Sequence, residues 1–275
     1  MTWFVNYRLD SSVSVVDRGL AYGDGVFETI RATPNTLFQL NDHMSRLSSG
    51  LTKLGMPFSF EDQKTLTHFL NVHILPLVNE DSVVKIIVTR GEGGRGYLPP
   101  ENCTHTIIIG ILPAPNYQIH QEKGVSLSIS PVPVSSNRFL AGIKHLNRLE
   151  NIMAKRFLAS PDFEAIMLNG NNELVECIQS NLFWIKEGIL YTPSLQLAGV
   201  RGTFRKNIIE NQVNYSIQVG RFPLSTLMSA DEVFITNSLM AIVPVTSVAG
   251  KSFPIGLHTR KLQILMQAKD EHGVH

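Results

Sequence analysis

Phe139-Leu-Ala-Gly-Ile-Lys-His-Leu-Asn-Arg-Leu-Glu150 sets a single lysine, Lys144, behind a short apolar run and a glycine, and ahead of a helical pattern. Leu146, Leu149, Ile152, Met153 and Phe157 recur three and four residues apart, which predicts a helix directly after Lys144 with one face buried. A lysine held at the mouth of such a helix is partly desolvated; its amine is then easier to deprotonate and can form a Schiff base. A lysine taken alone is more often a surface residue with its stem laid on apolar neighbours. The rest of the chain decides between the two readings.

At 275 residues the chain has room for one large or two medium domains, with a sizeable core either way. Its 43% hydrophobic and 17% charged content is that of a globular protein, and a formal charge of +1 leaves no strong field to draw nucleic acid. Cys103 and Cys177 lie far apart and form neither a CxxC pair nor a metal-ligand spacing, so no disulfide framework, no metal site and a reducing compartment are expected. Met1-Thr-Trp-Phe-Val-Asn-Tyr7 has no basic or apolar leader pattern, and no stretch approaches membrane-spanning length. These features predict a soluble, cytoplasmic protein with no membrane partner.

Strands are expected at residues 3–9, 13–16, 26–31, 82–89 and 104–112, with Asp17-Arg-Gly-Leu-Ala-Tyr-Gly-Asp-Gly25 as a tight irregular turn. Helices are expected at 40–56, opened by Asn41 as N-cap, and at about 60–77, where Ser59 and Asp62 have capping-box spacing. In the second half, strands are expected at 125–134, 164–168, 173–178, 181–185, 189–192 and 231–238, and Asn169-Gly170 reads as a hairpin turn. Leu197-Ala-Gly-Val-Arg-Gly-Thr203 leads into a helix over about 203–210, whose first amides suit an anion, and an amphipathic helix spans about 256–271. Strands alternate with helices in both halves, which gives an α/β or α+β class with mixed sheets.

The glycine-rich loop Arg90-Gly-Glu-Gly-Gly-Arg-Gly-Tyr97 can form an anion nest from successive amides. It lacks the Gly-Lys-Ser/Thr of a Walker A loop and opens no helix, so Gly91 to Gly96 is a weak nucleotide signal. The remaining candidates can be set against the needs of a phosphate-bearing aldehyde cofactor. Such a cofactor needs an amine, a carboxylate to keep a pyridine nitrogen protonated, and cations or helix-start amides for the phosphate. Lys144 supplies the amine. Glu176, in the apolar run Leu174-Val-Glu-Cys-Ile178, is costly unless paired and is the candidate carboxylate, the alternative being an exposed residue on a half-solvated strand face. Arg46, the amides of Val200 and Arg201, and Thr236 with Asn237 are candidates for the phosphate.

Gly23-Asp-Gly-Val-Phe-Glu28, His43-Met-Ser-Arg-Leu47, the lysine stretch, Glu176 through Ser180-Asn-Leu-Phe183, and Gly199-Val-Arg-Gly202 occur in this order along the chain. Together they resemble the fold-type-IV pyridoxal-phosphate enzymes, the family of branched-chain and D-amino-acid transaminases and of aminodeoxychorismate lyase. Ala141-Gly-Ile-Lys-His-Leu-Asn-Arg-Leu-Glu150 and the Arg90 to Tyr97 loop look most like the lyase branch. The resemblance implies a small N-terminal α/β domain (1–115), a linker (116–123) and a larger C-terminal domain (124–275) with a mixed-sheet pseudo-barrel. The cofactor, pyridoxal 5'-phosphate, would lie between the two domains of a homodimer. Lys144 would be the Schiff-base lysine and proton shuttle, Glu176 the partner of the pyridine nitrogen, and Arg46 the phosphate ligand with Val200, Arg201, Thr236 and Asn237 around it. The reaction implied is that of a lyase turning 4-amino-4-deoxychorismate into 4-aminobenzoate and pyruvate in folate synthesis. Thr29, Arg95 and Tyr97 are the candidate substrate contacts. A D-amino-acid transaminase shares the cofactor residues, but such enzymes carry an arginine and a histidine in the loop after the 82–89 strand. Here Arg95 is present and Tyr97 stands where the histidine is expected. A non-catalytic carrier of pyridoxal phosphate or another phosphorylated ligand would need the cradle without the proton-transfer lysine.

Overall fold

The structure is a computed structural model that describes residues 1–211 and 215–271. By its contacts the chain divides into two compact units, Met1–Pro115 with Ile143–Asn147, and Asn116–Gly142 with Arg148–His275. The lysine segment therefore belongs with the first unit, not with the C-terminal half to which its position in sequence assigns it.

The first unit contains β1 (Thr2–Val5), β2 (Arg8–Leu9), α1 (Arg18–Tyr22), β3 (Gly25–Thr33), β4 (Thr36–Leu37), α2 (Leu40–Lys53), α3 (Phe60–Phe69), β5 (Ser82–Thr89) and β6 (Thr106–Pro113). The strands form one antiparallel sheet in the order β2-β1-β6-β5-β3-β4. On β3 the residues alternate: Val26, Glu28, Ile30 and Ala32 are buried, while Phe27, Thr29, Arg31 and Thr33 are half-buried. The buried set joins Met44, Leu47 and Leu51 of α2, spaced by three and four, in one core. Gly50 lets α2 come close, since a Cβ there would stand 3.1 Å from Val26 Cγ1. Ser59 and Asp62 form a complete capping box at the start of α3, and the helix runs on as a π turn and a 3-10 turn to Leu77.

Three local expectations fail here. Val13–Val16 pairs with nothing and is no strand, and the tight turn at 17–25 contains α1, capped by the Asp17 carboxylate on the Gly19 amide. The N-cap of α2 is Gln39 in the left-handed region (φ 52°), not Asn41. Within residues 116–123, expected to be a linker, lies a helix, α4 (Gln118–Lys123).

The second unit continues with β7 (Val125–Ile129), α5 (Leu149–Arg156), β8 (Glu164–Leu168), β9 (Leu174–Cys177), β10 (Asn181–Lys186), β11 (Ile189–Pro193), α6 (Thr203–Asn211), β12 (Ile217–Gly220), α7 (Leu224–Met228), β13 (Glu232–Asn237), β14 (Ala241–Val248), β15 (Lys251–Ser252) and α8 (Leu257–Glu271). Its mixed sheet runs β12-β11-β10-β13-β14-β7-β8-β9, with β15 on β14; the β11/β12, β14/β7 and β7/β8 pairs are parallel. Both faces of β10 are covered. Leu182 and Trp184 join one cluster, while Phe183 and Ile185 join a second cluster with Phe204 and Ile208 of α6 and Leu262 and Met266 of α8. A strand buried on both sides reads as an unbroken apolar run, and Leu182-Phe-Trp-Ile185 does. The strands at 217–220 and 241–248 and the short α7 went unanticipated, and the 125–134 strand stops at Ile129. No helix among the described residues is long and apolar enough to cross a membrane.

The helix expected directly after Lys144 starts at Leu149, and the face expected to be buried is open. Leu149 is 73% exposed and Phe157 60% exposed, with Ile152 also exposed and Met153 barely covered. Lys144 is therefore fixed by other contacts.

Candidate active site

Those contacts are with β3. His145 forms an antiparallel bridge to Val26, the Phe27 amide donates to the Lys144 carbonyl (2.9 Å), and the Leu146 amide donates to the Gly25 carbonyl (3.0 Å). The segment Ile143–Asn147 thus lies along β3 like a further short strand. Two glycines make room for it. A Cβ on Gly25 would stand 3.0 Å from Leu146 Cδ1, besides meeting the Val88 carbonyl of β5 at 2.4 Å, and one on Gly23, which is left-handed (φ +67°), would meet Asn147 Oδ1 at 2.8 Å. Asn147 Nδ2 in turn donates to the Gly23 carbonyl at 3.0 Å. Between these glycines Asp24 accepts from Arg18 Nε (3.0 Å) and Arg90 Nε (2.7 Å), which tie it to the start of the glycine-rich loop. The motif Gly23-Asp-Gly25 is the mount on which the lysine segment rests. Lys144 itself is half-buried, with Nζ 4.3 Å from the centre of the Phe27 ring, a cation–π distance.

On the helix-covered face of β3, Glu28 is fully buried. It accepts from Arg46 Nε at 2.8 Å and Nη2 at 2.5 Å, and meets His43 Nδ1 at 2.6 Å. Burial alone would raise this carboxyl, but the Arg46 charge and hydrogen bonds, with His43, outweigh it and hold it at about 2. His43 is pushed down by burial, so it is neutral at pH 7 and donates from Nδ1. Arg46 is thereby oriented by a two-pronged carboxylate contact, which uses two of its five donors.

In the second unit Glu176 is buried at the end of β9. Its Oε2 accepts from the Val200 amide (2.9 Å) and from Asn181 Nδ2 (3.4 Å), and the same Asn181 nitrogen donates to the Val200 carbonyl (2.9 Å). Gly199 allows this approach: a Cβ there would stand 3.1 Å from Glu176 Oε2. The Arg201 amide donates to the Gly142 carbonyl, and the Gly142 amide to Gly199. In this structure the amides of Val200 and Arg201 are thus engaged by Glu176 and Gly142. Gly202 sits against Asn181, whose Oδ1 would be 2.1 Å from a Cβ, and α6 opens at the next residue. Thr203 Oγ1, there, and Thr236 Oγ1, directly across the sheet from Asn181, are both buried with no hydrogen-bond partner among the described residues. Asn237 is engaged too: Oδ1 accepts from the Leu239 and Met240 amides and Nδ2 donates to the Gln179 carbonyl, which holds the turn into β14. Arg205 is buried with the Thr192 hydroxyl and the Pro193 carbonyl as partners, and burial and the nearby Arg201 charge lower it to about 10.

The first unit thus brings together Lys144, Phe27, Glu28, His43 and Arg46, and the second brings together Glu176, Asn181, Val200, Arg201 and Thr236. Arg95 and Tyr97 are exposed on the glycine-rich loop, where Tyr97 packs edge-on against Tyr22. Thr29 is on β3, two residues beyond Phe27 and on the same face. Sequence reading missed the roles of Glu28, Asn181 and Thr203. A glutamate amid the apolar alternation of β3 was the available signal for the first.

The structure thus sets a lysine amine on a glycine-braced strand, in a chain of two α/β units. The chain belongs to the class IV amino-transferase family, whose model matches residues 25–248. It is 37% identical to the aminodeoxychorismate lyase of Vibrio harveyi over 272 residues, 96% of this chain and 98% of that protein. It is 29% identical to the D-alanine aminotransferase of Bacillus licheniformis, over 94% of this chain and 92% of that one. Among solved structures, 4-amino-4-deoxychorismate lyase from Pseudomonas aeruginosa superposes with a TM-score of 0.91 at 36% identity, covering 98% of both chains. The fold is the two-part, mixed-sheet fold that the motifs led us to expect.

Proposed function

We propose that the protein is a pyridoxal-phosphate-dependent lyase that converts 4-amino-4-deoxychorismate to 4-aminobenzoate and pyruvate, a step of folate synthesis. The observation that carries this reading is the mounting of Lys144 on β3, in a chain similar over nearly its whole length to lyases named for that substrate. The residues fit the cofactor. Two buried threonine hydroxyls without a hydrogen-bond partner among the described residues, Thr203 at the start of α6 and Thr236 on β13, and the buried cation Arg205 suit a phosphate, and buried Glu176 suits a ring nitrogen that must stay protonated. When bound, pyridoxal phosphate supplies an electron sink for the carbon that carries the substrate amine.

The roles of the chain's own residues follow. Lys144 anchors the cofactor aldehyde and then takes the proton from the amine-bearing carbon at its Nζ. Glu176, fixed by the Val200 amide and Asn181, keeps a proton on the ring nitrogen. Arg46, oriented by Glu28, is assigned to the phosphate, as is the Thr236 hydroxyl; the Val200 and Arg201 amides and the Asn237 side chain are engaged within the second unit and brace its backbone there. Loss of the enolpyruvyl group from the adjacent carbon makes the ring aromatic, which draws the reaction forward.

Lys144→Ala is expected to abolish release of 4-aminobenzoate and pyruvate, and the visible cofactor band of the wild type should be fixed on Lys144 by borohydride. Turnover at the wild-type rate in the variant would overturn the assignment of Lys144. A wild type that exchanges amino groups between D-amino acids and keto acids, and releases no 4-aminobenzoate, would make the protein a transaminase.

We further propose a cytoplasmic homodimer. Its support is the apolar surface that α5 leaves open at Leu149, Ile152 and Phe157, together with exposed Val16, Leu20, Tyr97 and Leu98. Cys103 and Cys177 are unpaired, as a reducing compartment requires. Sedimentation equilibrium should give twice the chain mass; a single-chain mass would overturn the dimer.

A further inference from the structure

Three half-buried or buried arginines of the first unit have carboxylate partners: Arg18 and Arg90 on Asp24, Arg46 on Glu28. Lys85 does not. It lies in the middle of β5, half-buried between Val84 and Ile86, in a strand paired on both sides. Among the described residues its side chain makes no hydrogen bond and no ion pair; its one contact of note is with an aromatic ring. A charged side chain kept at the centre of a sheet without a partner is unfavourable unless something anionic meets it there.

The register says what it faces. Thr29 pairs with Lys85 and Phe27 with Ile87, so alternation puts Phe27, Thr29 and Lys85 on the face of the sheet away from Glu28 and the α2 core. Lys144 reaches the same ring from the other side of β3. Its Nζ is 4.3 Å, and that of Lys85 5.8 Å, from the centre of Phe27. Two amines within 6 Å of one ring centre suit a small molecule that carries an amine-bearing carbon and, a few bonds away, a carboxylate. The proposed substrate has two carboxylates on a six-membered ring and its side arm, each a few bonds from the amine.

We propose that Lys85 is a substrate-binding residue that pairs with a carboxylate of aminodeoxychorismate while Lys144 acts at the amine-bearing carbon, with Thr29 beside it. This assignment rests on the lyase reading and deepens it. A fixed ammonium opposite the carboxylate holds the ring in one orientation before the proton is taken, so its contribution is to binding and alignment.

The test compares wild type with Lys85→Met, which keeps the length of the stem, Lys85→Gln, which keeps a polar side chain in the strand, and Lys85→Arg. Removal of a charge-assisted contact predicts a rise of about 10- to 100-fold in KM for aminodeoxychorismate in the Met and Gln variants, with kcat changed much less. Lys85→Arg should recover most of the loss. Chorismate, a dicarboxylate without the amine, reports binding apart from turnover, and its Kd by calorimetry should rise by a similar factor in the Met and Gln variants. The cofactor absorbance band should persist in all three variants. Wild-type KM and chorismate Kd in Lys85→Gln would overturn the assignment and leave the lyase reading standing. A wild type that neither releases 4-aminobenzoate nor binds chorismate would overturn both.

Discussion

Glu28 and Glu164 are both fully buried carboxyls on strands, one in each unit, and they are held in opposite states. Glu28 has a guanidinium on one side and a neutral imidazole on the other, and it stays ionised down to about 2. Glu164 has the Ser180 hydroxyl at 2.6 Å as its partner, and its Oε1 is buried without one. Burial then dominates over the hydrogen bonds from Ser180 and Gln179 and the distant Lys155, and pushes the carboxyl up to about 7. Desolvation acts in the same direction at both places; a guanidinium within hydrogen-bond reach decides the sign. The two outcomes serve different ends. An ionised Glu28 orients the Arg46 guanidinium. Glu164, which keeps its proton up to about 7, anchors Ser180, in the turn between β9 and β10 from which Glu176 and Asn181 emerge on either side.

The sharpest way to break this comparison is to remove the first carboxylate. Glu28→Ala leaves Arg46 and His43 facing an apolar gap, and loss of one member of a buried pair costs about 3–5 kcal/mol. Urea unfolding at pH 7 should show a loss of that size. A loss below about 1 kcal/mol would mean that the pair behaves like a surface salt bridge. The sign in acid follows from the depressed folded value. The contribution is complete above the unfolded-state value of about 4.3 and disappears as pH falls to about 2, so wild type and variant should converge there.

The two carboxylates also mark what was legible in the sequence. Long β-branched runs such as Ser82–Thr89 and the capping box at Ser59 gave most elements, because each signal is local, and the order of the glycine motifs made Lys144 and Glu176 candidates. The lysine's mount was not legible. Leu149, Ile152 and Phe157 have the period of a buried face, yet they are exposed, and the bonds that fix Lys144 come from β3, more than a hundred residues earlier. Periodicity reports that a face is apolar and says nothing of what covers it. β14 escaped because Pro244 interrupts it, although the strand tolerates the proline between β13 and β7. The state of Glu28 and Glu164 was hidden for a related reason. Arg46 and His43 come from another element, so the absence of such a cation near Glu164 becomes visible only after folding.

The finest test of the comparison is the pH response of Glu164→Gln. The folded value is raised, so between about 4.3 and about 7 the unfolded chain has lost this proton while the folded protein keeps it, and stability falls as pH rises through that window. Cys177 and Tyr117 nearby are pushed upward by burial and remain neutral over the same range. Glutamine has no proton to lose, so the variant should lack this part of the decline. Relative to wild type it should gain about 1–3 kcal/mol in unfolding free energy between pH 5 and pH 8. Because the readout is the difference between two pH values, any fixed cost of seating the amide cancels. A difference of zero would mean that Glu164 is ionised throughout and that some cation reaches it as Arg46 reaches Glu28. A gain of the expected sign would show that Glu164 keeps its proton in the folded protein as it holds Ser180.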